Sequence, residues 1–229
     1  MSENSVVITS AVRTAVGSLN RSLKNVPGHE LGSAVIQESI KRSKLKKEEV
    51  DEVIMGQVLT GGTGQNPARQ ALIHSGIPKE KPAYVVNQVC GSGIRSVASG
   101  FQSIKSGDTK IIIAGGQESM SLAPHSIHLR DGKKLGDTEM TDTMIKDGLW
   151  DAFHGYHMGV TAENVATKFQ VTRDQQDEFA LSSQEKAVKA QKDKKFHDEI
   201  VNFKIKSKKA EIDFNKVEHP REGINLEAL

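Results

Sequence analysis

The sequence contains one cysteine, Cys90, among 229 residues. A single thiol cannot form a disulfide within the chain or a thiolate metal cluster, so Cys90 acts alone or with other residue types. Long apolar runs are also missing: the longest wholly apolar stretches, such as residues 111–114, are only a few residues long, whereas a membrane helix needs about 20. An excess of one charge is missing as well, since 31 basic and 29 acidic residues give a net charge of +2. We therefore expect no membrane span and no nucleic-acid partner.

No targeting segment is recognisable at the start of the sequence. The run MSENSVVITSAVRT has neither a basic stretch followed by an apolar run nor an Arg-rich amphipathic pattern. The mixture of 36% hydrophobic and 26% charged residues in 25.0 kDa is typical of a globular protein large enough to bury a core. We expect a cytoplasmic location.

Short β-branched runs alternate with helical patterns up to about residue 117. Strands are predicted at residues 6–9, 50–59, 84–87 and 110–114. Helices are predicted to begin at Pro27, at Pro67 after the N-cap Asn66, and near Gly91, and the last two are predicted to end at Gly76 and Gly107. The order β-α-β-α-β-α-β is typical of an α/β unit with a parallel or mixed sheet.

The second part of the chain has a different pattern. Residues 119–143 form a polar stretch with little periodicity, which predicts a functional or interface loop. A helix is predicted over residues 159–169, and a capping box of Thr172 and Gln175 predicts a second helix that runs past Ala190. An alternating strand is predicted over residues 200–206.

Lysines are concentrated in residues 186–209, where nine lysines and three acidic residues give a local charge of +6. Two interpretations are open. The stretch is a solvated face of a lysine-rich protein, or it is the rim of a site for a phosphorylated ligand.

Several familiar sites are absent from the sequence. The runs GGTGQNP and CGSGIRS lack the third glycine of a dinucleotide-binding turn, and no Gly-Lys-Ser/Thr of a phosphate loop or Gly-x-Ser-x-Gly of a hydrolase occurs. The pairs His125 with His128 and His154 with His157 lack the carboxylate of a metalloprotease motif. We expect no bound metal and no nicotinamide cofactor.

Cys90 is the residue that points to chemistry. It stands between a predicted strand and a predicted helix, where the helix dipole and free N–H groups favour a thiolate. Gly91 and Gly93 have no side chains, so a substrate carbonyl can approach the sulfur closely. These are the requirements of acyl transfer through a thioester. The alternative is a small buried hydrophobic residue without chemistry.

Longer motifs connect the chain to a known family. The runs GQNPARQA, NQVCGSGIRSVASG, AGGQESMS and DGLWDAFHGYHMGVTAENVA resemble the thiolase family, specifically its acetyl-CoA acetyltransferase branch, and the similarity extends from VVITSAVRTAVG to EHPREG. The resemblance implies a thiolase-like N-terminal half with a mixed five-stranded sheet at residues 1–118 and an inserted α+β loop domain at 119–229. Within that loop domain it implies a tetramerisation loop at about 121–142 and a helical part that binds coenzyme A (CoA) at about 143–229.

The resemblance also implies roles for individual residues. Cys90 would be acylated, and its N–H would contribute to an oxyanion hole. His157 and Met158 would line the pantetheine and acyl pocket, Leu149 would lie beside the pantetheine arm, and Arg221 would contact the nucleotide part of CoA. Met158 has an alternative role in core packing, because it begins an apolar helix face.

The activity implied is the reversible conversion of 2 acetyl-CoA to acetoacetyl-CoA and CoA. CoA thioesters would be substrates, no separate cofactor would be needed, and the complete enzyme would be a dimer of dimers. The chain ends at Leu229, however, and lacks the family's catalytic Asn, its general-base His and its second Cys; Glu218 precedes His219-Pro220 where the family has glycine. We therefore expect an N-terminal portion that is inactive alone. The alternatives are a non-catalytic CoA-binding or oligomerisation protein and one chain of a split enzyme.

Overall fold

The computed structural model describes residues 5–206 and 210–229. Its strands are β1 (Arg13–Thr14), β2 (Glu52–Gly56), β3 (Ala83–Val86), β4 (Ile112–Gly116), β5 (His125–Ser126), β6 (Thr141–Asp142), β7 (Ile200–Val201), β8 (Phe203–Lys206) and β9 (Glu211–Phe214). Its α-helices are α1 (Gly28–Arg42), α2 (Pro67–Ser75), α3 (Ser92–Ser106), α4 (Met158–Phe169) and α5 (Arg173–Lys192). Short 3₁₀ turns and one π-helix, Met144–Leu149, complete the described elements.

The largest sheet is parallel and three-stranded, with β2 between β3 and β4. Alternate side chains of β2 point to opposite faces. Val53 and Met55 join the buried cluster formed with α1 and α2, whereas Gly56 lies against the first turn of α3. Helices therefore cover both faces of the sheet, which explains why β2 is buried almost throughout.

The predicted helix boundaries follow from local capping chemistry. The Asn66 side chain accepts a hydrogen bond from the backbone N–H of Arg69, and Gly76 ends α2 in the left-handed conformation at φ +82°. Thr172 and Gln175 form the reciprocal capping box at the start of α5. These predictions are confirmed.

The predicted first strand is wrong. Residues 6–9 form no strand and pair with none in the described part of the chain, and Val7 and Ile8 are 71% and 79% exposed. A strand exists only where a neighbour accepts and donates its backbone hydrogen bonds. The first paired segment is instead β1, which runs parallel to β7.

The sheet also has fewer strands than expected. The residues described form three strands of the expected five, and all three are parallel. A largely apolar cavity of about 980 Å³ separates the outer edge of β4 from residues 6–12 and is lined by both. The two segments therefore lie on either side of a gap instead of pairing.

Three other predicted strands differ in their ends. The strand expected over 50–59 is shortened to β2, and the one expected over 110–114 is displaced to β4. The strand expected over 200–206 is divided into β7 and β8, because β7 pairs with β1 whereas β8 forms an antiparallel hairpin with β9.

The polar segment at 119–143 contains a 3₁₀ turn and the antiparallel pair β5 and β6. Thr143 closes it, since both its N–H and its hydroxyl donate to the carbonyl oxygen of Pro124. Within the described ranges, no helix is long and apolar enough to cross a membrane.

Candidate active site

Cys90 lies in the turn that joins β3 to α3, and its side chain is exposed. The prediction of a helix immediately after this residue is confirmed, because α3 begins at Ser92. The alternative of a buried hydrophobic cysteine is wrong. The sulfur is therefore accessible at the carboxyl end of a parallel strand, beside the N-terminus of a helix.

A serine hydroxyl holds the cysteine turn in place. Ser92 Oγ accepts a hydrogen bond from Gln88 N at 2.9 Å and donates to Val89 O at 2.6 Å. The Asn87 side chain accepts from Val89 N at 2.9 Å. Val89 has φ 48°, a left-handed conformation that is uncommon for a β-branched residue. The turn is thus strained at the residue before Cys90 and fixed from both sides.

The first turn of α3 lies unusually close to the sheet. A Cβ atom on Gly56 would lie 2.4 Å from the carbonyl carbon of Ser92, which is closer than real Cβ contacts allow. Ser96 Oγ lies 2.6 Å from the carbonyl oxygens of both Gly93 and Gly115. Gly56 in β2 and the buried Ser96 in α3 therefore fix the position of the N-terminal end of α3, which follows Cys90.

A buried polar network lies at the same edge of the sheet. Gln117 Nε2 donates to Gln57 Oε1 at 2.9 Å, and Gln57 Nε2 donates to Leu59 O at 3.1 Å. Glu118 Oε2 accepts from the backbone N–H groups of Val58 and Leu59 at 2.8 and 3.3 Å. The network ties the segment after β4 to the segment after β2.

Sequence reasoning missed these network residues. The signal was present, because a polar residue directly follows each of two apolar strands, as Gln57 after β2 and as Gln117 and Glu118 after β4. Polar side chains at the carboxyl edge of a parallel sheet commonly surround a site.

His157 is the N-cap of α4, and Met158 is its first residue. The His157 Nδ1 atom accepts a hydrogen bond from Gly159 N at 3.0 Å, so the neutral ring carries its proton on Nε2. Met158 is 38% exposed, and Val165 on the same helix is 49% exposed. The apolar face of α4 is thus partly uncovered in the described chain.

A hairpin brings Leu149 close to His157. Trp150 pairs with His157 in an antiparallel bridge, and Asp151 N donates to Tyr156 O at 2.8 Å. Leu149, the half-buried last residue of the π-helix, therefore lies at the same end of the hairpin as Met158.

The hairpin approaches the edge of the sheet near the cysteine. A Cβ on Gly148 would lie 3.6 Å from Leu59 Cδ2, so the π-helix contacts the segment that follows β2. Because β2 and β3 are parallel neighbours, the segment after β2 and the Cys90 turn after β3 lie at the same edge. The π-helix that ends at Leu149 therefore reaches the sheet edge at which the Cys90 turn also lies.

Arg221 lies elsewhere in the fold. Its backbone N–H donates to Gln184 Oε1 of α5 at 2.8 Å, and its side chain is exposed. Among the residues that the structure describes, no group of three or more His, Cys, Asp or Glu side chains is arranged to hold a metal ion.

Comparison with known proteins identifies the family. The profile of the thiolase N-terminal domain matches residues 6–229. The chain belongs to the thiolase family. The acetyl-CoA acetyltransferase of Rhizobium meliloti is 57% identical over 229 residues, and the cytosolic acetyl-CoA acetyltransferase of Rattus norvegicus is 52% identical over 224. The predicted family resemblance is confirmed.

The crystal structure of the Bacillus anthracis acetyl-CoA acetyltransferase gives the same result for the fold. It matches with a TM-score of 0.93 at 39% identity, over 96% of this thiolase chain and 56% of that chain. The predicted α/β thiolase fold class is confirmed. The thiolase chain spans a little over half of these relatives, 58% of the Rhizobium protein and 56% of the rat protein.

Proposed function

We propose that this thiolase chain is an N-terminal portion of an acetyl-CoA C-acetyltransferase, and that Cys90 is the residue acylated during catalysis. The observation that carries the proposal is the exposed sulfur at the fixed turn between β3 and α3, in a chain whose relatives are named acetyl-CoA acetyltransferases. The net reaction is 2 acetyl-CoA to acetoacetyl-CoA and CoA, or the reverse.

The first half-reaction uses the sulfur directly. The Cys90 thiolate attacks the carbonyl carbon of acetyl-CoA, a C–S bond forms, and the oxygen becomes an oxyanion that the Cys90 N–H stabilises. The intermediate collapses with cleavage of the bond to CoA. The CoA sulfur leaves with a proton, and acetyl-Cys90 remains.

The second half-reaction forms the carbon–carbon bond. A base removes a proton from the methyl carbon of a second acetyl-CoA, and that carbon attacks acetyl-Cys90. The thioester bond to Cys90 breaks, and acetoacetyl-CoA is released. Both half-reactions need a base, and the family's Asn, general-base His and second Cys have no counterpart in these residues. The chain alone is therefore expected to be inactive.

Residues of the hairpin and its flanks bind the pantetheine part of the substrate. Leu149, His157 and Met158 line the pantetheine and acyl pocket, and the half-buried His157 ring presents its Nε2 proton as a hydrogen-bond donor. Arg221 contacts the nucleotide part of CoA. The proposal divides the chain into the α/β domain at 1–118 and the loop domain at 119–229, in which 121–142 assembles a dimer of dimers in the cytoplasm.

Intact-mass measurement after incubation with acetyl-CoA tests the acylation. One acetyl group per chain is expected on a polypeptide completed with the remainder of a relative, and none on its Cys90→Ser variant. The 229-residue chain is expected to gain none. An adduct that persists in the serine variant, or a completed chain that is active without Cys90, would overturn the proposal.

A further inference from the structure

A second cavity is lined by none of the residues proposed to bind CoA, although its Glu222 follows Arg221 in the sequence. It has a volume of about 580 Å³, a size typical of small-molecule sites. It is formed by the ends of α1 and α5, by β7 and by residues 215–217 with Glu222. Cys90, Leu149, His157, Met158 and Arg221 are not among its lining residues.

The cavity is strongly basic. Arg42, Lys192, Lys194 and Lys216 line it, and Glu222 is the only acidic side chain among the described lining residues. Lys192 Nζ lies 3.7 Å from Glu222, so this pair neutralises itself. Arg42 is paired with Glu38 in the same way, so Lys194 and Lys216 carry the positive charge that remains, and positive charge in a concave surface attracts an anion.

Two of these cationic side chains form no ion pair among the residues described. Lys194 and Lys216 have no counter-ion among the residues described, whereas Arg42 donates from Nε to Glu38 at 2.8 Å and from a terminal nitrogen to Asp198 O. Arg42 is therefore a fixed charge, and the two lysines are free to contact a ligand. Lys194 also sits in a left-handed conformation at φ 55°, at the turn that ends α5.

The floor of the cavity is apolar, with amides beside it. Phe196, Ile200 and Val217 supply the apolar surface, and Asn202 and Asn215 supply hydrogen-bonding amides. Arg13 lies over the Phe196 ring, 5.1 Å from its centroid. In a ligand with a flat ring and a phosphate group, the apolar side chains would contact the face of the ring, and the amides would bond to its polar edge. The ammonium groups of the two lysines would contact the phosphate oxygens.

We propose that this cavity binds a free nucleoside phosphate. Lys192 and Lys194 belong to the lysine-rich stretch at 186–209, and Lys216 follows it; Lys208 and Lys209 lie outside the described residues and are not part of the proposed site. It is independent of the proposed catalytic function, because its lining residues belong to neither the Cys90 turn nor the hairpin at 150–157.

Equilibrium dialysis of ADP against the full chain tests the proposal. The variant Lys194→Gln with Lys216→Gln is expected to weaken ADP binding by about tenfold or more, because two charge-assisted contacts are lost. The matched control is Lys133→Gln with Lys134→Gln, which removes the same charge from two exposed lysines of the 119–143 loop. It is expected to leave ADP binding unchanged.

Competition identifies the chemistry that is recognised. Pyrophosphate is expected to displace ADP, and adenosine is not. The weakening caused by Lys194→Gln with Lys216→Gln is expected to be the same in an Arg221→Ala background, so the cavity is tested separately from the proposed CoA contact. Absence of ADP binding at millimolar concentration, equal loss in both double variants, or no weakening by Lys194→Gln with Lys216→Gln in the Arg221→Ala background would overturn the proposal.

Discussion

The carboxylate of Asp151 accepts a hydrogen bond from the Nδ1 atom of His154 at 2.8 Å. The same side chain accepts from the backbone N–H groups of Phe153 and His154 at 2.8 and 3.1 Å. One ionised side chain thus closes the turn of the hairpin that ends at His157. These bonds, the Phe153 N–H first and the His154 ring next, hold the pKa of Asp151 below its ordinary value.

The first prediction is that low pH weakens the turn that Asp151 closes. Because the folded-state pKa of Asp151 is lowered, its stabilising effect is present above about pH 4 and is lost as the pH falls through the folded value. Trp150, the only tryptophan, is adjacent and reports on the turn. Low pH is expected to shift the fluorescence spectrum of Trp150 in the unaltered chain. Asp151→Asn is expected to produce the same shift at pH 7.

The control for the turn is Asp147→Asn, which removes an exposed carboxylate from the neighbouring π-helix. It is expected to leave the fluorescence and its acid transition unchanged. Identical spectra for Asp151→Asn and the unaltered chain from pH 7 to pH 3 would contradict the prediction.

A second prediction tests the close approach of β2 and α3. Gly56→Ala would place a methyl group 2.4 Å from the backbone of Ser92, so the helix end must move. We expect a loss of about 1–3 kcal/mol in unfolding free energy, measured with urea. We also expect a changed rate of Cys90 modification by a disulfide reagent, because the cysteine turn moves with α3.

Gly115→Ala provides the comparison for that variant. No atom lies within 4 Å of its added methyl group, although Gly115 is in the adjacent strand. Its stability and Cys90 modification rate are expected to stay close to the unaltered values. Equal behaviour of the two alanine variants would show that the contact does not position Cys90.

Local signals in the sequence predicted the parts of this fold that local chemistry decides. The cap at Asn66, the end of α2 at Gly76 and the capping box at Thr172 each depend on residues within a few positions. Cys90 was found for the same reason, since its strand, turn and helix are contiguous.

Features that depend on distant residues were not predicted. A strand at residues 6–9 requires a partner, and the hydrophobic pattern says nothing about whether one is adjacent. The bond between Gln57 and Gln117 joins positions 60 residues apart. His157 shows the same limit: its family motif implied a pocket residue but not its role as the N-cap of α4.

A third prediction concerns the pair His29 and His74, whose ring centroids are 5.3 Å apart. Burial, and then the nearby His74, lower the pKa of His29. The folded state therefore favours the neutral ring, so the stabilising effect is complete above about pH 6.5 and declines as the pH falls below that value. His29→Gln is expected to flatten the dependence of unfolding free energy on pH between about 7 and 5.

His128→Gln is the matched control, because His128 is exposed in the 119–143 loop. It is expected to keep the pH dependence of the unaltered chain. A His29→Gln variant whose urea midpoint falls with acid as steeply as before would exclude His29 as the cause.

The last prediction concerns the outer face of α3. Ile94, Val97 and Phe101 recur at helical spacing and are 74%, 37% and 49% exposed. Phe101 and Val97 also line the apolar gap beside β4. Apolar surfaces of this kind associate in water, so the isolated chain is expected to form concentration-dependent assemblies in sedimentation velocity. Ile94→Glu with Phe101→Glu is expected to shift the chain toward monomer, because two charges on this face oppose its burial. The matched control is Phe169→Glu with Phe179→Glu, which charges two exposed apolar residues of α4 and α5. A monodisperse monomer from the unaltered chain at all concentrations, or equal dissociation by both double variants, would contradict association through α3.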